Sequence, residues 1–169
     1  MTPGAFDTTY AAGFFQFDVF VQKVAPPIND FAGVAVIGAG TAGCAGPQTL
    51  AVHSTPRVNN PYFAFTCTNT PPSALGLLLY TTASVPAGID TLGIGALQHV
   101  DLGTLIDFAD IVSVPQRSAT RRVPIPNDPA LVGQQLSVQS YWLWSAPDAC
   151  PQLPFGLSSS NALEITIQN

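Results

Sequence analysis

The sequence predicts an all-β protein, a two-sheet β-sandwich of jelly-roll or Ig-like form, on three observations. Only 9% of the 169 residues are charged, against roughly a quarter in an ordinary soluble domain. Sixteen prolines and fourteen glycines cut the chain into short pieces. Between the cuts lie apolar or alternating runs of strand length, and no amphipathic helical window survives the prolines. At 47% hydrophobic residues, the chain has enough apolar material for a sizeable core. Disordered chains instead combine low hydrophobicity with high net charge.

Phe14–Val24 alternates best. Phe15, Phe17, Val19 and Val21 share one face, with Gln16, Asp18, Phe20 and Gln22 on the other. Pro26 and Pro27 end this strand. Val34–Ile37 is a short apolar run before a Gly-rich turn, Gly38–Gly46. Thr49–His53 is a candidate strand, Pro56 to Pro61 a loop, and Tyr62–Thr68 alternates again. Leu75–Thr81 is continuously apolar, as a buried strand would be. Leu92–Leu102 is mixed. Thr104–Asp110 fits one turn of helix. Ile111–Val114 and Ala119–Ile125 are expected to pair across Pro115–Ser118. Gln134–Ser145 is long and alternating, with Leu136, Val138, Ser140, Trp142 and Trp144 facing one way. Ala162–Ile167 is the last strand. The total is about nine to eleven strands, spaced as in sandwiches and barrels.

Charge excludes one class of partner. The net charge is −5, with five basic residues of which only Arg121 and Arg122 are adjacent. Nucleic-acid binding needs many cations to displace phosphate counterions, so no nucleic-acid partner is expected. The apolar runs are too short to span a bilayer as a helix, and no transmembrane segment is expected.

Val34–Gly43 reads VAVIGAGTAG, which has the GxGxxG spacing of a dinucleotide site at Gly38, Gly40 and Gly43. That site needs a helix whose N-terminus faces the pyrophosphate and an acidic residue about 20 positions on. Here Pro47 and a strand-like run follow, and the later region is Arg57–Asn60. A Gly-rich turn between strands is the better reading, and no cofactor is expected. His53 and His99 are the only histidines, and no GxSxG is present. A structural or surface histidine outweighs a catalytic one, and the chain is read as no enzyme. Asp101, Asp107 and Asp110 are oxygen donors close in sequence, so calcium is the one live metal alternative to solvated turn aspartates. Tyr141, Trp142 and Trp144 suggest an aromatic platform for a glycan. Trp142 and Trp144 fall on the core face, however, which leaves Tyr141 as the candidate ligand contact.

From Gly38 onward several short motifs recur in a familiar order: GAGTAGCAGPQTL, NNPYFAFTCTNTPPSALGLLLY, VPIPNDPALVGQQLSVQSYWL and the terminal SSSNALEITIQ. Over residues about 38–168 they resemble a domain of unknown function found in exported proteins of environmental bacteria. The resemblance implies a secreted, all-β module, extracellular or at the cell surface, and carries no catalytic residues. Met1–Gly4 is followed by Asp7, not by a basic segment and an apolar run, so export implies a leader already removed. Asn127 and Asp128 supply a turn among Pro124, Pro126 and Pro129, and Asn161 is read as setting the bend into the last strand. A disulfide between Cys44 and Cys150 would tie the two ends of the body together and leave Cys67 as a buried free thiol. A fully reduced protein is the alternative.

The organisation expected is an arm, residues 1–37, before a sandwich, residues 38–169. Phe14–Val24 either pairs within its own body or completes a neighbour's sheet by donor-strand complementation. The leading expectation is a self-associating extracellular structural subunit, a filament or surface-layer component whose partners are copies of itself. The alternatives are a carbohydrate- or surface-ligand-binding module and a viral jelly-roll capsid or fibre protein.

Overall fold

A computed structural model describes residues 29–43, 45–143 and 156–169. The expected strand with Phe15, Phe17, Val19 and Val21, the Cys44–Cys150 pair and Trp144 lie outside these residues. Within them the chain is all-β, with strands β1 (Val34–Ile37), β2 (Ala42–Gly43), β3 (Gly46–Pro47), β4 (Thr49–Val52), β5 (Ala64–Thr68), β6 (Leu75–Thr81), β7 (Ser84–Ile89), β8 (Gln98–Val100), β9 (Leu105–Val112), β10 (Ser118–Arg122), β11 (Gln135–Leu143) and β12 (Leu157–Thr166). Short 3-10 turns at Leu102–Thr104 and Pro129–Leu131 are the helical content described.

Two antiparallel sheets form the sandwich. One has the order β1-β12-β11-β6-β9 and the other β10-β5-β4, with small ribbons β2-β3 and β7-β8 beside them. β1 falls on the arm side of the expected boundary, yet it pairs over all four residues with β12. The sandwich therefore takes in residues that the sequence assigns to the arm.

The core lies between the sheets. Leu50, Val52, Phe65 and Cys67 come from the three-stranded sheet; Leu78, Tyr80, Ile111, Val138, Trp142, Leu163 and Ile165 come from the other. Each fully buried large apolar side chain contributes roughly 1.5–3 kcal/mol. The Trp142 indole fits because it lies over Gly76, where a Cβ would come within 2.7 Å of its Cε3. Its Nε1 donates to Ser140 Oγ at 3.1 Å, and the Cys67 thiol donates to the same oxygen at 3.3 Å across the sheets. Phe65 packs edge-on against Phe63 and Tyr80, at 5.2 and 6.1 Å between ring centroids.

Three elements differ from expectation. Thr104–Asp110 is not a turn of helix; most of it lies in β9, which pairs with β6 from Leu75↔Val112 to Thr81↔Leu105. Pairing satisfies the backbone groups that face β6, and the period of two puts Ala109 and Ile111 inward. Ile111–Val114 and Ala119–Ile125 do not form a hairpin. β9 belongs to one sheet and β10 to the other, so the turn at Val114–Ser118 is a corner between layers, closed by Val114 N donating to Ser118 O at 2.8 Å. β7 carries Pro86 and no clean alternation, so nothing in its sequence marks it as a strand.

β4 is an edge strand whose open side is occupied by side-chain amides. Leu50 N donates to Asn161 Oδ1 at 2.8 Å, and Asn161 Nδ2 donates to Leu50 O at 3.2 Å. Asn29 completes the match: Val52 N donates to its Oδ1 at 3.2 Å, and its Nδ2 donates to Leu50 O at 3.1 Å. Two amides thus stand where another strand would pair. Asn161 sits within β12, where the ladder with β11 shifts register between Gln139↔Ala162 and Tyr141↔Ser159, and its side chain fastens one sheet to the other.

Replacing Asn161 by Ala is expected to destabilise the protein by about 1–3 kcal/mol, because the buried Leu50 N–H loses its partner while Leu50 O keeps the Asn29 amide. Asn161→Asp keeps the acceptor for Leu50 N but sets a carboxylate against Leu50 O. It is expected to be no better than Ala near neutral pH. Urea unfolding midpoints check both, and an Ala variant within 0.5 kcal/mol of the parent would refute the clamp (about the noise of surface substitutions).

Candidate functional site

The outer face of the five-stranded sheet is divided in two. Over β11 and β12 it is polar and covered by the β7-β8 ribbon. Gln139 is the centre of that half: its Oε1 accepts from His99 N at 2.8 Å and Tyr141 OH at 3.0 Å, and its Nε2 donates to Leu97 O at 2.8 Å and Ser160 O at 2.7 Å. All four hydrogen-bonding positions of the amide are filled. His99 is buried beside it, its ring nitrogens facing the carbonyls of Val85 and Ala39. A Cβ at Gly38 would overlap that ring. The first glycine of the GxGxxG run thus makes room for a histidine, not for a pyrophosphate, and no helix follows it.

The other half is apolar, and no described element covers it. The pairing of β11, β6 and β9 sets up three rows: Leu143, Leu75 and Val112; Tyr141, Leu77 and Asp110; Gln139, Leu79 and Phe108. Phe108 is 62% exposed, Val112 61%, and Leu75 and Leu143 52% each. Solvated faces of antiparallel sheets are normally polar, and contiguous apolar patches on soluble proteins mark interaction sites. Leu75–Thr81 reads in sequence as a strand buried on both sides. In the structure only the face with Leu78 and Tyr80 is enclosed; Leu75, Leu77 and Leu79 look outward.

This patch ends at a free edge. β9 pairs with β6 on one side, and among the described residues no strand pairs with its other side. The remaining edges of the two large sheets are guarded or short: β4 is capped by Asn29 and Asn161, β10 carries exposed Arg121 and Arg122, and β1 has four residues. β9 has eight, with Leu105 and Ile106 also exposed. Charged, short or covered edges are how sheets avoid pairing with other chains. β9 carries two exposed charges, Asp107 and Asp110, and one backbone cap, Phe108 N donating to Asp107 Oδ1 at 2.8 Å.

The residues singled out in sequence are dispersed. Asp101 Oδ1 caps a 3-10 turn through Gly103 N at 2.9 Å, Asp107 caps Phe108, and Asp110 pairs with Arg121 at 3.6 Å. The three carboxylates do not converge, and no cluster of three His, Cys, Asp or Glu among the described residues is arranged to hold a metal. Tyr141 is half-buried with its hydroxyl committed to Gln139. Tyr62 is a more exposed aromatic, at 71%, with the Arg122 guanidinium 5.4 Å from its ring centroid. It borders an open cleft of about 640 Å³ with His53, Ser54, Thr55, Arg57 and Asn60. His53 Nε2 is hydrogen-bonded to Thr66 Oγ1, and no Asp or Glu is among the described lining residues. The sequence missed the β9 patch because LIDFADIV serves a helical turn as well as a strand; the clue was the alternation of Phe108, Asp110 and Val112 against Ala109 and Ile111.

Comparisons with family models, with curated proteins and with solved structures found no match. The class defined is therefore structural, an all-β sandwich with an open apolar edge. Among the described residues no helix is long and apolar enough to cross a membrane.

Cys67 is a buried free thiol. Burial pushes its pKa from 9.0 up to about 12, against a smaller lowering by the Ser140 hydrogen bond. Burial likewise pushes Tyr80 up to about 12, from 10.0, and raises Tyr141. Above pH 9 the unfolded chain sheds the Cys67 proton that the folded protein keeps. Stability is thus complete below about 9 and lost as pH rises toward 12, with Cys67 adding a slope of about 1.4 kcal/mol per pH unit. Urea midpoints from pH 7 to 11 are expected to fall from about 9 in the parent. In Cys67→Ala the fall should start about one unit higher, where the tyrosines begin to act. Identical profiles would refute the assignment to Cys67.

Proposed function

We propose that this chain is a non-enzymatic structural subunit that self-associates outside the cell, building a filament or surface layer through the β9 edge and the apolar face beside it. One observation carries the reading: among the described residues the longest edge without a partner strand adjoins an apolar face that no described element covers. Burying such a surface contributes roughly 25 cal/mol per Å² before the costs of association. The low charge supports the same reading, since a weak net field leaves little repulsion between copies.

Sedimentation and negative-stain electron microscopy test it. The unaltered chain is expected to form ordered, concentration-dependent assemblies. A Phe108→Lys, Val112→Lys variant, altered only at exposed positions, should shift the onset of assembly at least tenfold higher in concentration. Monodisperse monomers of the unaltered chain across the micromolar range would overturn the proposal.

Tyr62 favours a second reading, a carbohydrate-binding module. Its exposed ring, stacked with Arg122 and bordered by the polar cleft, supplies the flat apolar surface with polar neighbours that sugar recognition needs. In this reading a glycan array returns ligands whose binding drops at least tenfold in Tyr62→Ala. An array with no ligand, or one indifferent to Tyr62, rejects it.

A further inference from the structure

We infer that the β9 edge is the acceptor for residues 14–24 of a second copy, which add a sixth strand to the five-stranded sheet. The inference rests on the self-association reading and names the two surfaces that meet. Residues 1–28 precede the described chain, and Phe14–Val24 is the segment there with a strand's alternation. Its odd-numbered face, Phe15, Phe17, Val19 and Val21, is apolar and would extend the rows that end at Phe108 and Val112. Lys23, the chain's only lysine, falls on that same face, as Asp110 does on β9.

Charge favours the donor over the simpler arrangement, β9 paired with β9. The charged side chain on the outward face of β9 is Asp110, and an antiparallel pair of these edges that sets the two Asp110 side chains opposite each other is destabilised by like charge. The donor strand instead carries Lys23 on the face that meets Asp110. Reach decides against the chain's own strand. Asn29 is tied to β4 by its amide, on the β12 side of the molecule. Five Cα steps separate it from Val24, which is at most about 17 Å. A strand beyond β9 lies four spacings past β12, about 19 Å, and Asn29 starts from the opposite sheet, a further ~10 Å layer away. A neighbouring copy has no such limit. The incoming strand takes the Phe108 N–H from Asp107, so Asp107 guards the edge until a donor arrives.

Two full-length variants test the pairing. Phe17→Asp with Val19→Asp spoils the donor. Phe108→Pro spoils the acceptor by removing an N–H that faces the free edge, and Phe108→Lys is the second acceptor variant, which keeps the backbone donor. Circular dichroism establishes that each is folded. Each alone is expected to sediment as a monomer, and an equimolar mixture as a 1:1 dimer that grows no further. Carbodiimide coupling should then join Lys23 of one copy to Asp110 of the other. If the unaltered chain assembles but the mixture stays monomeric, or the donor variant assembles unaided, the strand pairing is wrong while self-association stands. If the unaltered chain is itself monomeric, both fail together.

Discussion

Four consecutive polar side chains buried on β12 hold this sandwich together. Ser158 accepts from Gln48 Nε2 at 2.5 Å. Ser159 Oγ shares a hydrogen bond with Thr41 at 3.0 Å and donates to Leu97 O at 2.8 Å. Ser160 Oγ accepts from Ser140 N at 3.1 Å. Asn161 holds the main chain of β4. A hydroxyl or amide taken out of water without a partner costs about 1–3 kcal/mol, so each is affordable only in this one register. A slip of one residue would turn every one of them to the wrong face. The strand thereby fixes its neighbours β1 and β11, the opposite sheet through β4, and the β7-β8 cover through Leu97.

Neutral groups do here what charges do in most domains. The one ion pair among the described residues, Asp110 with Arg121, is exposed and contributes little. Specificity comes from amides and hydroxyls whose partners are main-chain groups. Such a network has no carboxylate to protonate.

The sequence was most legible where one face is buried and the other polar. β1, β4, β6 and β11 fall where alternation or apolar runs place them, and Trp142 faces the core as its row with Leu136 and Val138 requires. It was least legible where tertiary contacts override the local pattern. Asn161 follows three serines and looks like a turn; its burial depends on β4, more than a hundred residues earlier. β7 has no pattern because it is held by β8 and lies over other strands. The β9 surface was hidden for a different reason. Its apolar residues suit a buried helix turn equally well, and only the pairing with β6 shows that half of them face outward.

The contrast between the two halves of one sheet face is the strongest argument for a functional edge. A chain this poor in charge has few ways to make a sheet surface soluble, and it covers the β11–β12 half with a ribbon and a saturated amide network. It closes β4 with two asparagines and β10 with two arginines. Among the described residues β9 is the longest edge without a partner strand, and its neighbour β6 presents leucines outward at Leu75, Leu77 and Leu79. Its polar features are Asp107, Asp110 and the cap at Phe108, set beside an apolar face that no described element covers. The proposal of a partner at this edge rests on that contrast with the β11–β12 half.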